Sequence, residues 1–224
     1  MDVNPALVLS LWAGGTAACG AAVAWWRIVG PGYGWLTGAV VGVLGVAAGA
    51  AGSGTLAYVG AVLVIAGALM ARRPLLAAAF FAGSAVALAL AAGADSPLIP
   101  VLSGMAFLGG VTATMMLGHW YLVDPRLPRW ALQRLDVLGG AGLLIDFIYM
   151  VLNGALDWMP ADAILGWAFV ALTLMTFLLV VAVWYSLQEP SYTGVMAATG
   201  LSYLAVLTAF GVAVLGRLLA FGSS

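Results

Sequence analysis

The amino-acid sequence predicts an all-α integral membrane protein, a bundle of about eight transmembrane helices with no soluble domain. Of 224 residues, 65% are hydrophobic and 7% charged, and the mean hydropathy is +1.15. A water-soluble domain carries roughly 25% charged residues, so this chain has too little charge to cover a water-facing surface. The apolar residues also gather into runs near the ~20 residues that cross a bilayer core of ~30 Å.

Eight such runs follow one another, at residues 5–29, 35–52, 55–71, 74–92, 98–123, 137–153, 163–187 and 192–219, forming one polytopic domain over 1–224. Pro5, Pro74 and Pro97 stand at span starts, where a missing N–H costs no helical hydrogen bond. In the first span, Thr16-Ala17-Ala18-Cys19-Gly20 has the outline of a lipoprotein cleavage site. Asp2 with no basic residue before it, and an apolar run continuing to Val29, predict an uncleaved helix instead.

The second span repeats glycine at Gly38, Gly42, Gly45, Gly49 and Gly52. Steps of four and three place all five on one face, a groove that admits another helix backbone closely. The expected occupant is a helix of this chain; another membrane subunit or a second copy is the alternative. Spans two and three are short, and their junction at Gly52-Ser53-Gly54 is compatible with a hairpin or a re-entrant segment. The fifth span carries a small-residue row, Gly110, Thr114 and Gly118, and a second side formed by Thr112, Met115, Met116 and His119. Gly14-Gly15 before Trp25-Trp26 is echoed by Gly109-Gly110 before Trp120-Tyr121. A parallel four-plus-four duplication would produce that echo, although the other spans do not align at the same offset.

The longest linker is Asp124–Asp136, where Arg126, Arg129 and Arg134 alternate with Leu127, Trp130, Leu132 and Leu135. It is expected to lie at the interface, arginines toward anionic headgroups and apolar side chains dipping inward; docking of a cytoplasmic partner is the alternative use of Arg126, Arg129, Trp130 and Arg134. Arg27, Arg72 and Arg73 fall on the same side as this linker. Arg217 falls near a span end on the other side, with Asp2, Asp95, Asp157 and Asp162. The positive-inside rule then predicts both termini outside. Seven basic residues that are all arginine, with an Ala/Gly/Val/Leu bias, suggest a GC-rich bacterial coding style and a multi-pass protein of the bacterial cytoplasmic (inner) membrane.

Composition also excludes functions. A net charge of −1 offers no electrostatic footprint for nucleic acid. A single cysteine, Cys19, and a single histidine, His119, exclude a disulfide framework, a cysteine-based zinc site and a bis-histidine haem. No metal site is expected, and no cofactor is bound by this chain alone.

The candidate site is Asp146, the lone charge in the run 137–153. An ionisable group in hydrocarbon costs a few kcal/mol and marks a site by default. Gly139, Gly142, Asp146, Tyr149 and Asn153 share one helical face. Counted from a span start at Val137, Asp146 lies roughly 13 Å deep, near midplane, where Thr112 or Thr114 of the fifth span is its expected partner. On the same count His119 lies about 6 Å below the surface. Three chemistries compete for this cluster: a proton or ion path through Asp146, Tyr149 and Asn153; a quinone held by His119, Tyr121 and Asp146; and a neutral carboxyl that only joins helices. A Ser103–His119 hydrolase is excluded by about 24 Å along the helix. The expected function is an accessory or anchor subunit of a larger membrane complex, in an energy-transducing setting, with a quinone- or proton-handling site between the fifth and sixth helices. A small proton- or ion-coupled permease centred on Asp146 is the alternative, and a purely structural membrane protein the third reading. Expected partners are the lipid bilayer and other membrane subunits or a second copy. No sequence motif indicates an enzyme.

Overall fold

Helix boundaries follow the prolines and glycines that punctuate the chain. The computed structural model describes residues 5–93, 96–157 and 163–221. Among them it contains eight α-helices: α1 Pro5–Trp26, α2 Pro31–Ala48, α3 Thr55–Leu69, α4 Pro74–Gly93, α5 Leu98–Val123, α6 Arg129–Leu152, α7 Ala163–Gln188 and α8 Tyr192–Phe221. A π-helical turn, Gly49–Ser53, extends α2. Seven helices, α2 counted with that turn, are long and apolar enough to cross a membrane, and α3 is a shorter apolar helix. The chain is an all-α, multi-pass membrane protein. Asp2, Asp95 and Asp162, used above for orientation, lie outside the described residues.

Two expected helix starts move. The second helix begins at Pro31, four residues before Trp35, because Gly30 precedes a first-position proline. The sixth begins at Arg129, so the expected interfacial stretch Asp124–Asp136 is a loop only over 124–128, followed by two turns of α6. Ala131, Leu132, Leu135 and Asp136 are buried there. Steps of three and four give those turns an inward face, which outweighs the arginines on the outward one.

The α2–α3 junction is a tight hairpin. Gly52 and Gly54 turn the chain at φ 113° and 75°, a region that only glycine enters without strain. The Ser53 hydroxyl donates to the carbonyl of Ala6 at 2.9 Å and meets the Ser10 hydroxyl at 2.7 Å, which ties the hairpin to the start of α1.

Neighbour relations repeat between the halves. Helix α1 packs on α2 and α4, and α3 packs on the same two; α5 packs on α6 and α8, and α7 packs on the same two. The groups meet through α1 against α5, flanked by α4 on α5 and α8 on α1. One glycine of each pair in the sequence echo lies at that seam, while Gly110 packs on Gly139 of α6. Gly15 and Gly109 face each other with no room for a Cβ on either, the close approach that small residues permit between membrane helices.

Glycine also sets α6 on α5: a Cβ at Gly139 or Gly142 would meet the α5 backbone at Val111 or Phe107. The α2 glycines serve mostly α3. Gly38 faces Ala68, Gly45 faces Ala61, and Gly49 faces Tyr58, whereas Gly42 has only ordinary contact with Ile65 and lines an open apolar groove of about 690 Å³ with Trp35, Val46 and Leu69.

Candidate functional site

Asp146 sits on the glycine-lined face of α6 and is 2% exposed. Its partners come from two other helices. Arg217 of α8, 6% exposed, places Nη1 3.0 Å from Asp146 Oδ2 and Nη2 3.0 Å from Oδ1, a two-pronged ion pair. The Ser103 hydroxyl of α5 donates to Oδ1 at 2.9 Å. The guanidinium also donates to the carbonyls of Ala213 at 3.3 Å and Pro100 at 3.2 Å. Gly104 makes space for it, since a Cβ there would collide with Arg217 Nη2. Carboxylate and guanidinium are thus matched in charge and geometry, which is what a buried pair needs to offset its desolvation.

This differs from the sequence expectation for a definite reason. Counted from Arg129 rather than Val137, Asp146 lies seventeen residues along α6, about 25 Å, toward the end away from the arginine-rich side. At that level α5 presents Ser103, not Thr112 or Thr114. Thr112 accepts a hydrogen bond from Trp12 Nε1 at 2.7 Å, and the Thr114 hydroxyl donates to the Gly110 carbonyl at 2.9 Å. Arg217, assigned from sequence to the far-side surface, is buried instead.

The other expected residues disperse. Tyr149 is half-buried among apolar neighbours. Asn153 is exposed and donates from its side chain to the Tyr149 carbonyl at 2.8 Å. His119 is exposed on α5, and its Nδ1 lies 3.3 Å from the Tyr203 hydroxyl of α8. Tyr121, two residues on and therefore turned to another side of the helix, is buried in the apolar cluster that contains Leu127 and Leu132. His119 and Ser103 stand sixteen residues apart, about 24 Å, so Asp146 and His119 belong to separate sites.

The cationic side is stitched by its own contacts. Arg129 donates to the carbonyls of Glu189, Pro190 and Ser191 in the α7–α8 turn. Arg134 lies 4.6 Å over the Trp130 ring, and Trp130 packs edge-on against Trp26 at 5.0 Å. Arg126 is exposed, its backbone N–H donating to Asp124. Among the described residues no group of three or more His, Cys, Asp or Glu side chains is arranged to hold a metal ion.

Sequence reasoning missed Arg217, Ser103 and Gly104 around Asp146, and it missed Asp136, a second buried acid at 4% exposure. One signal was present: Asp146, Arg217 and Ser103 lie six, four and five residues from the same-side ends of their helices. No protein family, curated protein or solved structure matches this chain.

Proposed function

We propose that the chain is an accessory or anchor subunit of a larger bacterial membrane complex, in an energy-transducing setting, with both termini outside. The observation that supports this reading is how its polar groups are distributed. Asp146, Ser103 and Arg217 satisfy one another inside the bundle and fasten α5, α6 and α8 together. His119 and Tyr203 are exposed at the side of the bundle at membrane level, where hydrocarbon offers them no hydrogen bond beyond the one they share. A chain built this way holds itself rigid and presents its remaining polar groups sideways. Native purification in a mild detergent, followed by mass and identification of what comes with it, tests the reading. Co-purification of other membrane subunits in fixed ratio is expected, and a chain that emerges alone and monomeric sinks it.

A proton- or ion-coupled permease is the second reading. Asp136, Asp146 and Arg217, the buried charged side chains among the described residues, all lie in the α5–α8 half, and intramembrane charges of this kind line ion pathways in transporters. Asp136 lies ten residues before Asp146 on α6, about 15 Å along the axis. Proteoliposomes with a pH-sensitive dye decide it. Flux abolished by both Asp136→Asn and Asp146→Asn would favour transport, and no flux in the wild type removes it.

A further inference from the structure

We propose that a lateral slot between α1, α5 and α8 binds the ring of an isoprenoid quinone or quinol, with His119 and Tyr203 as its hydrogen-bonding groups. The inference rests on the reading of the chain as a subunit of an energy-transducing complex and names the ligand class of one surface.

Two ring pairs mark the ends of the proposed slot. At one, His119 and Tyr203 stand with rings perpendicular and centroids 6.5 Å apart. His119 is exposed, Tyr203 is 44% exposed, and no described residue hydrogen-bonds to the second ring nitrogen of His119. At the other, Trp12 and Phe210 pack with centroids 5.3 Å apart, and the Trp12 N–H is already used on Thr112. Thr112 precedes His119 by seven residues and Tyr203 precedes Phe210 by seven, so each helix spaces the two ends by about 10 Å. Half-buried Met115 lies between the ends on α5, a polarizable thioether suited to a ring face.

Polarity selects the occupant. His119 lies four residues from the Val123 end of α5, about 6 Å inside it, near Trp120 and the other aromatic residues of the arginine-rich side. The Trp12–Phe210 end is deeper and apolar. An amphiphile with its polar part at the interface and its tail toward midplane therefore fits head to His119. Helix α5 carries no charged residue, and α8 carries only Arg217, which is committed to Asp146. A phosphate headgroup finds no cation here. A neutral ring with carbonyl or hydroxyl groups fits instead: His119 and Tyr203 each donate to a quinone carbonyl or accept from a quinol hydroxyl. The sequence expectation grouped His119 with Tyr121 and Asp146; the geometry keeps His119, replaces Tyr121 by Tyr203, and leaves Asp146 out.

The test uses the full chain in quinone-free phosphatidylcholine nanodiscs, with a photoreactive benzoquinone bearing a decyl tail and mass-spectrometric mapping of the label. Saturable labelling that unlabelled decylbenzoquinone competes away, centred on residues 115–119 and 203–207, is expected. Tyr203→Phe, which removes the hydroxyl that meets His119 Nδ1, and His119→Gln should each weaken apparent affinity about tenfold, while Trp35→Phe in the α2–α3 groove leaves it unchanged. Non-saturable labelling, labelling spread over all lipid-facing helices, or unchanged affinity in both slot variants overturns the proposal. So does a native complex in which a partner helix cross-links through positions 119 and 203. Saturable labelling of a chain that purifies alone supports the slot and overturns the complex. A fixed-ratio complex whose chain shows no saturable labelling does the reverse.

Discussion

Arg217 and Asp146 meet through two parallel hydrogen bonds of 3.0 Å each, joining the last helix to the sixth across the second half of the bundle. Removing one partner leaves a buried charge unpaired, which costs about 3–5 kcal/mol, whereas replacing both by apolar groups of similar volume is often near neutral. Arg217→Met and Asp146→Leu should each lower thermal stability in detergent by that order, and the double variant should recover most of the loss. A double variant as unstable as the sum of the singles would show that the pair does not act as a unit.

Gly104 is the space that Arg217 occupies. Gly104→Val should therefore mimic loss of the ion pair in a melting experiment, with overpacking adding about 1–3 kcal/mol. In the Arg217→Met background the same substitution should cost much less. Equal cost in both backgrounds would place the strain elsewhere, against Leu11 for example, the other neighbour of a Cβ at this position.

The seam between the halves depends on Gly15 and Gly109, whose backbones face each other directly. Gly15→Leu or Gly109→Leu should abolish the folded monomer in size-exclusion chromatography, because a rigid backbone cannot yield as a flexible side chain does. Gly30→Ala, in open space, should leave the elution profile unchanged.

Arg129 satisfies three carbonyls where α7 ends and α8 begins. Carbonyl groups left without partners cost about 1–3 kcal/mol each when buried and less when water reaches them; this turn is exposed, so Arg129→Ala should cost about 1 kcal/mol. Its clearer signature is faster hydrogen exchange across residues 189–194. Arg134→Ala, which removes only the contact with Trp130, should leave that segment's exchange as it is.

Orientation is testable because the one native thiol, Cys19, is buried and should not react in the folded protein. In a Cys19→Ala background, cysteine at position 73 or 126 should be labelled only when a membrane-impermeant maleimide reaches the cytoplasmic face, and cysteine in place of the exposed Thr55 only from outside. The opposite pattern would reverse the assignment of the arginine-rich side.

Composition and run length alone determined that this is a multi-pass helical membrane protein, because transfer of apolar surface out of water depends on residue type and span length rather than on partners. Of the glycine row read on the second span, Gly38, Gly45 and Gly49 face α3, whereas Gly42 borders the open groove and Gly52 leaves the row where it turns the chain at φ 113°; the periodicity around Asp146 pointed that residue inward, as the 3.6-residue turn requires. Depth and pairing were decided by tertiary structure. The α6 start at Arg129, not Val137, shifted Asp146 by eight residues along the axis, about 12 Å, and only the packing of α5, α6 and α8 brought Ser103 and Arg217 to it. Arg217 looked like a surface charge because a span end cannot reveal which way a long, flexible side chain turns. The union of His119 with Tyr203 was illegible for the same reason: 84 residues separate them, and only the crossing of two helices makes them neighbours.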